Sequence, residues 1–245
     1  MTRDLNLALP RYVSLSIMGK QKRDEQRLKR SFLLPGIGVV LLWGLFVAAW
    51  LLDWNMTLWG VYPRHWPALT GILTAPLAHG SWGHLSSNSF PLLFLGAGVM
   101  YFYPRVSLPV FLTSYLAPGL WVWVAGRSSY HIGASGMVYA LAFFLFFSGV
   151  FRKDARSLTL ALVVAFFYGS MVWGVFPMEP GVSWESHLFG GVAGVVMAWY
   201  FRHKDRPEPR RYSWEDEPEE SPYDAIEPWN YQSLFPPPDL DESEK

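Results

Sequence analysis

The feature that most constrains this chain is a series of long apolar segments without charged side chains. The first segment, residues 32–52, contains no Asp, Glu, Lys or Arg. About 20 helical residues at ~1.5 Å each span the ~30 Å hydrocarbon layer of a bilayer. Further such segments lie at about residues 83–103, 106–125, 133–151, 158–176 and 186–201. The sequence therefore predicts an all-α membrane protein with six transmembrane helices.

The first connection, residues 53–78, differs from these segments because it is rich in aromatic residues and turn formers. It contains Trp54, Trp59, Tyr62 and Trp66 together with three prolines. Such a composition is typical of a segment that lies in the membrane interface and does not cross the bilayer. We therefore expect an interfacial first loop.

The basic residues predict the orientation of the bundle. With the N-terminus inside, seventeen of the Lys and Arg residues up to Arg211 fall on the cytoplasmic side, and only Arg64 and Arg127 fall outside. This positive-inside bias requires an even number of spans and places both termini in the cytoplasm. The predicted location is a plasma membrane.

Charge also divides the chain into three regions. Residues 1–31 form a basic segment, with eight Lys/Arg against three Asp/Glu, which we expect to lie against anionic lipid. Nucleic-acid binding is disfavoured because no aromatic residues interleave these charges. Residues 32–202 form the membrane domain. Residues 203–245 are acidic and Pro-rich, and are predicted to be a disordered cytoplasmic tail. Three of the tail's aromatic residues are either a docking motif for an unknown partner or incidental: Trp229, Tyr231 and Phe235.

Polar residues inside the spans cluster at one depth. His84 and Asn88 lie near the start of the second span, Ser135 at the start of the fourth and His187 at the start of the sixth. In the predicted topology these three helices all run from outside to inside. Their first turns should therefore lie at the same level, just below the outer face.

Each of these residues has a simple structural explanation when taken alone. Ser135 could bond to its own backbone, His187 could be a buried hydrogen-bonding histidine, and His84 with Asn88 could clasp two helices. Together they favour chemistry, because a nucleophilic serine needs a base and an oxyanion needs donors. His84 and Asn88, four residues apart, project from one helix face.

Small residues explain how the two reacting groups could meet. Gly136 and Ala140 form a stripe on the fourth span, and Gly190 and Gly194 form one on the sixth. Two such stripes allow close approach of the helix backbones. We expect this approach to bring His187 within hydrogen-bond distance of Ser135.

The expected chemistry is nucleophilic attack on a peptide carbonyl, with His187 taking the proton of Ser135. Gly133 would open the turn into the helix, and Tyr139 would pack against the imidazole. No acid is placed to orient His187, since Glu185, two positions away, faces another direction. The site is therefore predicted to be a dyad.

A metal site is the competing chemistry for the histidines, and the sequence disfavours it. His79 and His84 are five residues apart, which is poor spacing for one helix face, and no carboxylate accompanies them. Cysteine is absent. The remaining histidines, His131 and His203, are predicted to lie at the surface.

In these residues the chain resembles the bacterial rhomboid intramembrane serine proteases. The family's three motifs are matched in order by His79, His84 and Asn88 on the second span, by Gly133, Ser135, Gly136 and Tyr139 on the fourth, and by His187, Gly190 and Gly194 on the sixth. The resemblance covers about residues 32–202. The family's tryptophan–arginine pair in the first loop is missing, although Arg64 and Trp66 lie near each other.

The resemblance implies a six-helix fold, no cofactor, and cleavage of transmembrane substrates near their outer end. It implies that Ser135 is the nucleophile, that His187 is the general base, and that His84 and Asn88 belong to the oxyanion hole. Two alternatives stay open: a non-catalytic relative that binds or escorts transmembrane helices and, less favoured, a transporter. A transporter should carry ionisable residues near the middle of its spans.

Overall fold

The structure is a computed structural model that describes residues 11–178 and 181–205. Residues 1–10, 179–180 and 206–245 lie outside the described residues, and with them almost all of the acidic tail, including Trp229, Tyr231 and Phe235. Within the described part the protein is all-helical, without β-strands. The predicted fold class is therefore confirmed at the level of an all-α bundle.

Seven helices of more than ten residues make up this part of the chain. They are α1 (Arg11–Ser31), α2 (Leu33–Leu51), α3 (Trp82–Phe102), α4 (Ser107–Ala125), α5 (Ser135–Arg152), α6 (Ala155–Tyr168) and α7 (Trp184–Tyr200). The boundaries of α2 to α5 and of α7 lie within two residues of those predicted from the apolar segments. The fifth predicted span is α6 followed by a 3-10 segment, Gly169–Val175.

Five helical stretches of the described residues are long and apolar enough to cross a membrane. They are Gln21–Leu51, Trp82–Phe102, Ser107–Ala125, Ser135–Arg152 and Ala155–Val175. Their outward faces carry large apolar side chains, such as Leu33, which is 64% exposed, and Phe166, which is 82% exposed. Helix α7, which corresponds to the sixth predicted span, has 17 residues and is not among these five stretches. The count of six membrane crossings therefore remains a prediction.

No secondary structure was predicted for the segment that forms helix α1. This helix occupies the basic segment before the first span and ends two residues before α2 begins. The side chain of Arg27 ties α1 to the C-terminal end of α3, donating from Nη2 to the carbonyl oxygen of Tyr101 at 2.6 Å.

The first loop is built from short helical turns, none of which is long enough to cross a bilayer. It is fastened to the segment that precedes α5. Val61 and His131 exchange two backbone hydrogen bonds, of 3.0 and 2.9 Å, and the amide of Gly133 donates to the carbonyl of Ala75 at 2.8 Å. The loop therefore holds the start of α5 in place.

Helix α5 forms the centre of the bundle, and Leu141, Phe144 and Leu145 on it are fully buried. Its most extensive partner is α7. A Cβ atom on Gly190 would collide with the carbonyl oxygen of Gly136, and one on Gly194 with that of Ala140. The two backbones are thus in contact, and only glycine fits at these two positions of α7.

Candidate active site

Ser135 and His187 meet at the N-terminal ends of α5 and α7. Ser135 is the first residue of α5, and His187 lies in the first turn of α7. The Nε2 atom of His187 is 2.8 Å from the Oγ atom of Ser135. The structure thus brings together the two residues that the sequence paired. The direct backbone contact of the two helices explains why they meet.

A backbone carbonyl orients the imidazole of His187. Its Nδ1 atom is 2.9 Å from the carbonyl oxygen of Gly174, in the 3-10 segment after α6. A carbonyl can only accept, so Nδ1 must carry the proton, and the unprotonated Nε2 of the neutral ring faces the serine hydroxyl. This tautomer is the one that a general base requires. Sequence reasoning missed Gly174, because a backbone acceptor leaves no signature in residue type.

Tyr139 packs against the flat face of the His187 imidazole. Its ring stacks on that of His187, with centroids 4.1 Å apart and planes at 6°. Its hydroxyl donates to the carbonyl of Met171 at 2.8 Å. A Cβ atom on Gly174 would meet this hydroxyl and would lie 3.1 Å from Nδ1 of His187. Glycine is therefore needed where the 3-10 segment passes the stacked rings.

Gly133 lies against the imidazole of His84. Its φ of +107° is in a region that other residues rarely adopt. A Cβ atom on it would lie 2.5 Å from the Nε2 atom of His84. The turn into α5 therefore passes directly over this histidine, and glycine is required both for conformation and for space.

His84 and Asn88 share one cavity with the serine and the histidine. The cavity has a volume of about 640 Å³, and Tyr139 also lines it. The Nδ2 group of Asn88 donates to the backbone carbonyl of His84 at 3.0 Å, which leaves its second hydrogen available. Of the sequence-predicted site residues, those that line this cavity are His84, Asn88, Ser135, Tyr139 and His187.

His79 supports the site from behind. It is 1% exposed, and its ring centroid is 5.0 Å from that of His84. Burial, together with the neighbouring His84, lowers the pKa of His79 to about 4. A neutral ring can accept from the amide of Ala134, whose nitrogen is 3.5 Å from Nε2. Among the described residues, no group of three His, Cys, Asp or Glu side chains could hold a metal ion.

The prediction for His131 was wrong. It is 4% exposed, with Nδ1 2.6 Å from the hydroxyl oxygen of Ser183 and Nε2 3.1 Å from the carbonyl oxygen of Arg127. Its loop is folded against the first loop and the start of α7, which hides the ring, and this burial lowers the pKa of His131. His203 is exposed, as predicted.

Glu185 is 3% exposed, and its carboxylate pairs with Arg127 at 3.5 Å between Oε1 and Nε. The Oε1 atom of Glu185 is thus paired with Arg127, and the partner of the Nδ1 atom of His187 is the carbonyl of Gly174 and not this carboxylate. Arg127 also donates from Nη2 to the carbonyl of Val182 at 2.6 Å. This pair fastens the loop before α5 to the loop before α7, and so holds the two reacting ends together.

The fold and the site define a helical membrane bundle with a part-buried serine–histidine pair. The Rhomboid domain family model matches residues 66–204, more than half of the chain. The chain belongs to the rhomboid family and is an integral, multi-pass membrane protein. The resemblance found in the three motifs is thereby confirmed.

The chain is also similar to uncharacterized mycobacterial proteins and to one plant protein with a rhomboid name. An uncharacterized protein of Mycobacterium tuberculosis is 36% identical over 161 residues, which are 60% of this chain and 65% of the relative. One of Mycobacterium leprae is 28% identical over 209 residues, covering 77% and 80%. Rhomboid-like protein 11, chloroplastic, of Arabidopsis thaliana is 29% identical over 158 residues, covering 56% and 54%. The match thus spans less than two thirds of the M. tuberculosis protein.

Proposed function

We propose that this protein is an intramembrane serine endopeptidase that cleaves transmembrane segments of membrane proteins near their outer end. The observation that carries the proposal is the 2.8 Å contact between Oγ of Ser135 and Nε2 of His187, in a ring whose Nδ1 is bonded to a carbonyl. This arrangement supports a serine activated by a general base.

The reaction follows in two balanced stages. His187 accepts the proton of Ser135 while Oγ attacks the peptide carbonyl carbon, and the tetrahedral intermediate then collapses with cleavage of the C–N bond. The proton passes from His187 to the leaving amine, which leaves an acyl-enzyme. His187 next takes a proton from water, whose oxygen attacks the ester carbon; the C–Oγ bond then breaks, and His187 returns the proton to Oγ as the acid is released. No cofactor enters this balance.

Donors for the developing oxyanion surround the serine. The amide of Ser135 belongs to the first turn of α5, where backbone N–H groups are unpaired and the helix dipole is positive. His84 and Asn88 line the same cavity and carry N–H groups that can be turned towards it. We assign them to the oxyanion hole, with Gly133 providing the space between His84 and the turn.

The orientation belongs to the same proposal. The site lies at the N-terminal ends of α3, α5 and α7, and the positive-inside bias directs these ends to the outer face of a bacterial inner membrane, with both termini cytoplasmic. Cavity-lining residues Gly181 to Ser183, in the loop before α7, place the cavity beside a connecting loop. Water could reach the acyl-enzyme from this side.

Labelling with a fluorophosphonate tests the activated serine directly. Purified protein in detergent or lipid should be labelled, and Ser135→Ala and His187→Ala should not be. Ser148→Ala is the matched control, because it removes a buried hydroxyl without a hydrogen-bond partner from the same helix. Absence of labelling in the native protein, together with retained binding of a transmembrane helix, would favour the non-catalytic alternative.

Two substitutions at Tyr139 separate stacking from hydrogen bonding. Tyr139→Phe keeps the ring on the imidazole and removes the hydroxyl that donates to Met171, so we expect the cleavage rate to fall less than about tenfold. Tyr139→Leu removes the flat surface under His187, and we expect a loss of roughly a hundredfold from misplacement of the base. Reporter cleavage assays measure both, and equal losses would contradict the supporting role of the ring.

A further inference from the structure

A basic pocket lies at the end of the bundle remote from Ser135. It has a volume of about 280 Å³ and is lined by three guanidinium groups of α1, those of Arg23, Arg27 and Arg30. Its floor is apolar, formed by Met100 and Pro104 at the C-terminal end of α3. Nothing in the proposed proteolysis uses this pocket.

The three arginines occupy one face of α1, because they are spaced four and three residues apart. Of the acidic residues nearest to them along the helix, Asp24 borders this face, three residues before Arg27, and Glu25 lies on the opposite face. Glu25 is already paired with Lys29, with Oε1 and Nζ 2.6 Å apart. The charged residues that line the pocket, Arg23, Arg27 and Arg30, are all basic.

Arg27 is held rigidly at the centre of this face. Besides its bond to the Tyr101 carbonyl, its guanidinium carbon lies 5.2 Å from the centroid of the Tyr101 ring. The guanidinium of Arg156, at the start of α6, lies 6.0 Å from the centroid of the same ring. Two cations thus converge on one aromatic side chain, flanked by Arg23 and Arg30.

No described carboxylate neutralises this cluster. Among residues 11–178 and 181–205, neither Arg23, Arg27, Arg30 nor Arg156 has an ion pair within 4.0 Å. The nearest acid along the chain to Arg156 is Asp154, which caps α6 by accepting from the amide of Ser157 at 2.9 Å. Within the described residues, the converging like charges therefore have no acidic counterion.

The position of the pocket indicates which counterion. Along α3, the 17 residues from His84 to Tyr101 span about 25 Å, close to the thickness of the hydrocarbon layer. The pocket thus lies at the opposite membrane surface from the serine. Immediately after it, the first residues of α2 expose apolar side chains, with Leu33 64% and Leu34 45% exposed. Basic groups above an exposed apolar wall match a phosphate with attached acyl chains.

We propose that this pocket binds the phosphate of an anionic phospholipid, with Arg23, Arg27 and Arg30 as the phosphate ligands. The guanidinium fork binds phosphate oxygens in pairs, and basic pockets between membrane helices are suited to lipid headgroups. The lipid fills the gap between α1 and α3 and neutralises the cluster. This inference does not depend on the proposed proteolytic activity.

Native mass spectrometry in detergent tests the proposal, with phosphatidylglycerol compared against phosphatidylcholine of the same acyl chains. We expect saturable binding of one phosphatidylglycerol, and a dissociation constant about tenfold or more higher in the double variant Arg23→Gln/Arg30→Gln. The matched control is Lys22→Gln/Lys29→Gln, which also removes two positive charges from α1, but from residues that do not line the pocket. It should stay within about threefold of the native protein.

Three outcomes would overturn the proposal. Equal weakening by the two double variants would mean general attraction to the basic helix and no specific site. Unchanged binding in the arginine variant would place the lipid elsewhere. Displacement by soluble sn-glycerol 3-phosphate at a concentration similar to that of the lipid would assign the pocket to a free phosphate compound. Thermal unfolding of each variant, measured without added lipid, checks that the fold is retained.

Discussion

Replacement of Ser135 by alanine is expected to lower the rate of cleavage of a reporter transmembrane substrate by about 10⁴-fold or more. His187→Ala should have a similar effect, and the double variant should be no slower than either single variant. Members of a nucleophile–base pair act as a unit, so that removal of one abolishes the contribution of the other. In this site the unit is the 2.8 Å contact between Nε2 and Oγ.

The measurement is the initial cleavage rate in proteoliposomes at substrate concentrations below saturation, for native protein and the three variants. Ser148→Ala again serves as the control, because its hydroxyl lies on the same helix and has no partner. Multiplicative losses in the double variant would contradict a cooperative dyad. Undiminished cleavage by Ser135→Ala would show that another residue is the nucleophile.

Gly190→Ala is expected to have the second largest effect, lowering both stability and activity. The added Cβ atom would collide with the carbonyl oxygen of Gly136 and lie 3.2 Å from the Cβ atom of Tyr139. Since neither backbone can yield locally, α5 and α7 must separate. Overpacking of this kind costs about 1–3 kcal/mol of folding free energy. Displacement of His187 by ~1 Å should slow cleavage roughly a hundredfold.

Unfolding in detergent and the cleavage rate measure the two effects separately. Gly44→Ala, on α2, is the matched control, because nothing lies within 4 Å of the position of its added Cβ atom. The control should leave both quantities near their native values. A Gly190→Ala variant that cleaves at the native rate would show that contact between the two backbones is not what positions the dyad.

The parts of the fold that the sequence predicts are those governed by solvent and charge. Lipid requires uninterrupted apolar helices, so the bounds of α2 to α5 could be read from the absence of charged side chains. The charges then fixed the relative direction of the spans, which placed Ser135 and His187 at one level. The small residues spaced four apart on α5 and α7 allow the two backbones to touch, and this close approach brings Ser135 and His187 into contact.

What could not be predicted depends on backbone atoms and on how loops fold. The acceptor at Nδ1 of His187 is the carbonyl of Gly174, and every residue carries such a group. Only the fold selects which one reaches the ring. His131 was misassigned to the surface because loop position was taken as exposure, whereas the loop is folded against Val61 and Ser183. Helix α1 was missed because its second half, from Lys20 to Arg30, is highly charged, so it lacks the long apolar segment that revealed the others.

The carbonyl that orients His187 also has a consequence for how this protein tolerates mutation. In a triad, one codon change at the acidic residue can disable the base. Here the orienting oxygen belongs to the main chain, and no side-chain replacement deletes it. A substitution that removes this support must therefore act by displacing the 3-10 segment, and Gly174, whose added Cβ atom would meet the Tyr139 hydroxyl, is the position where we expect it.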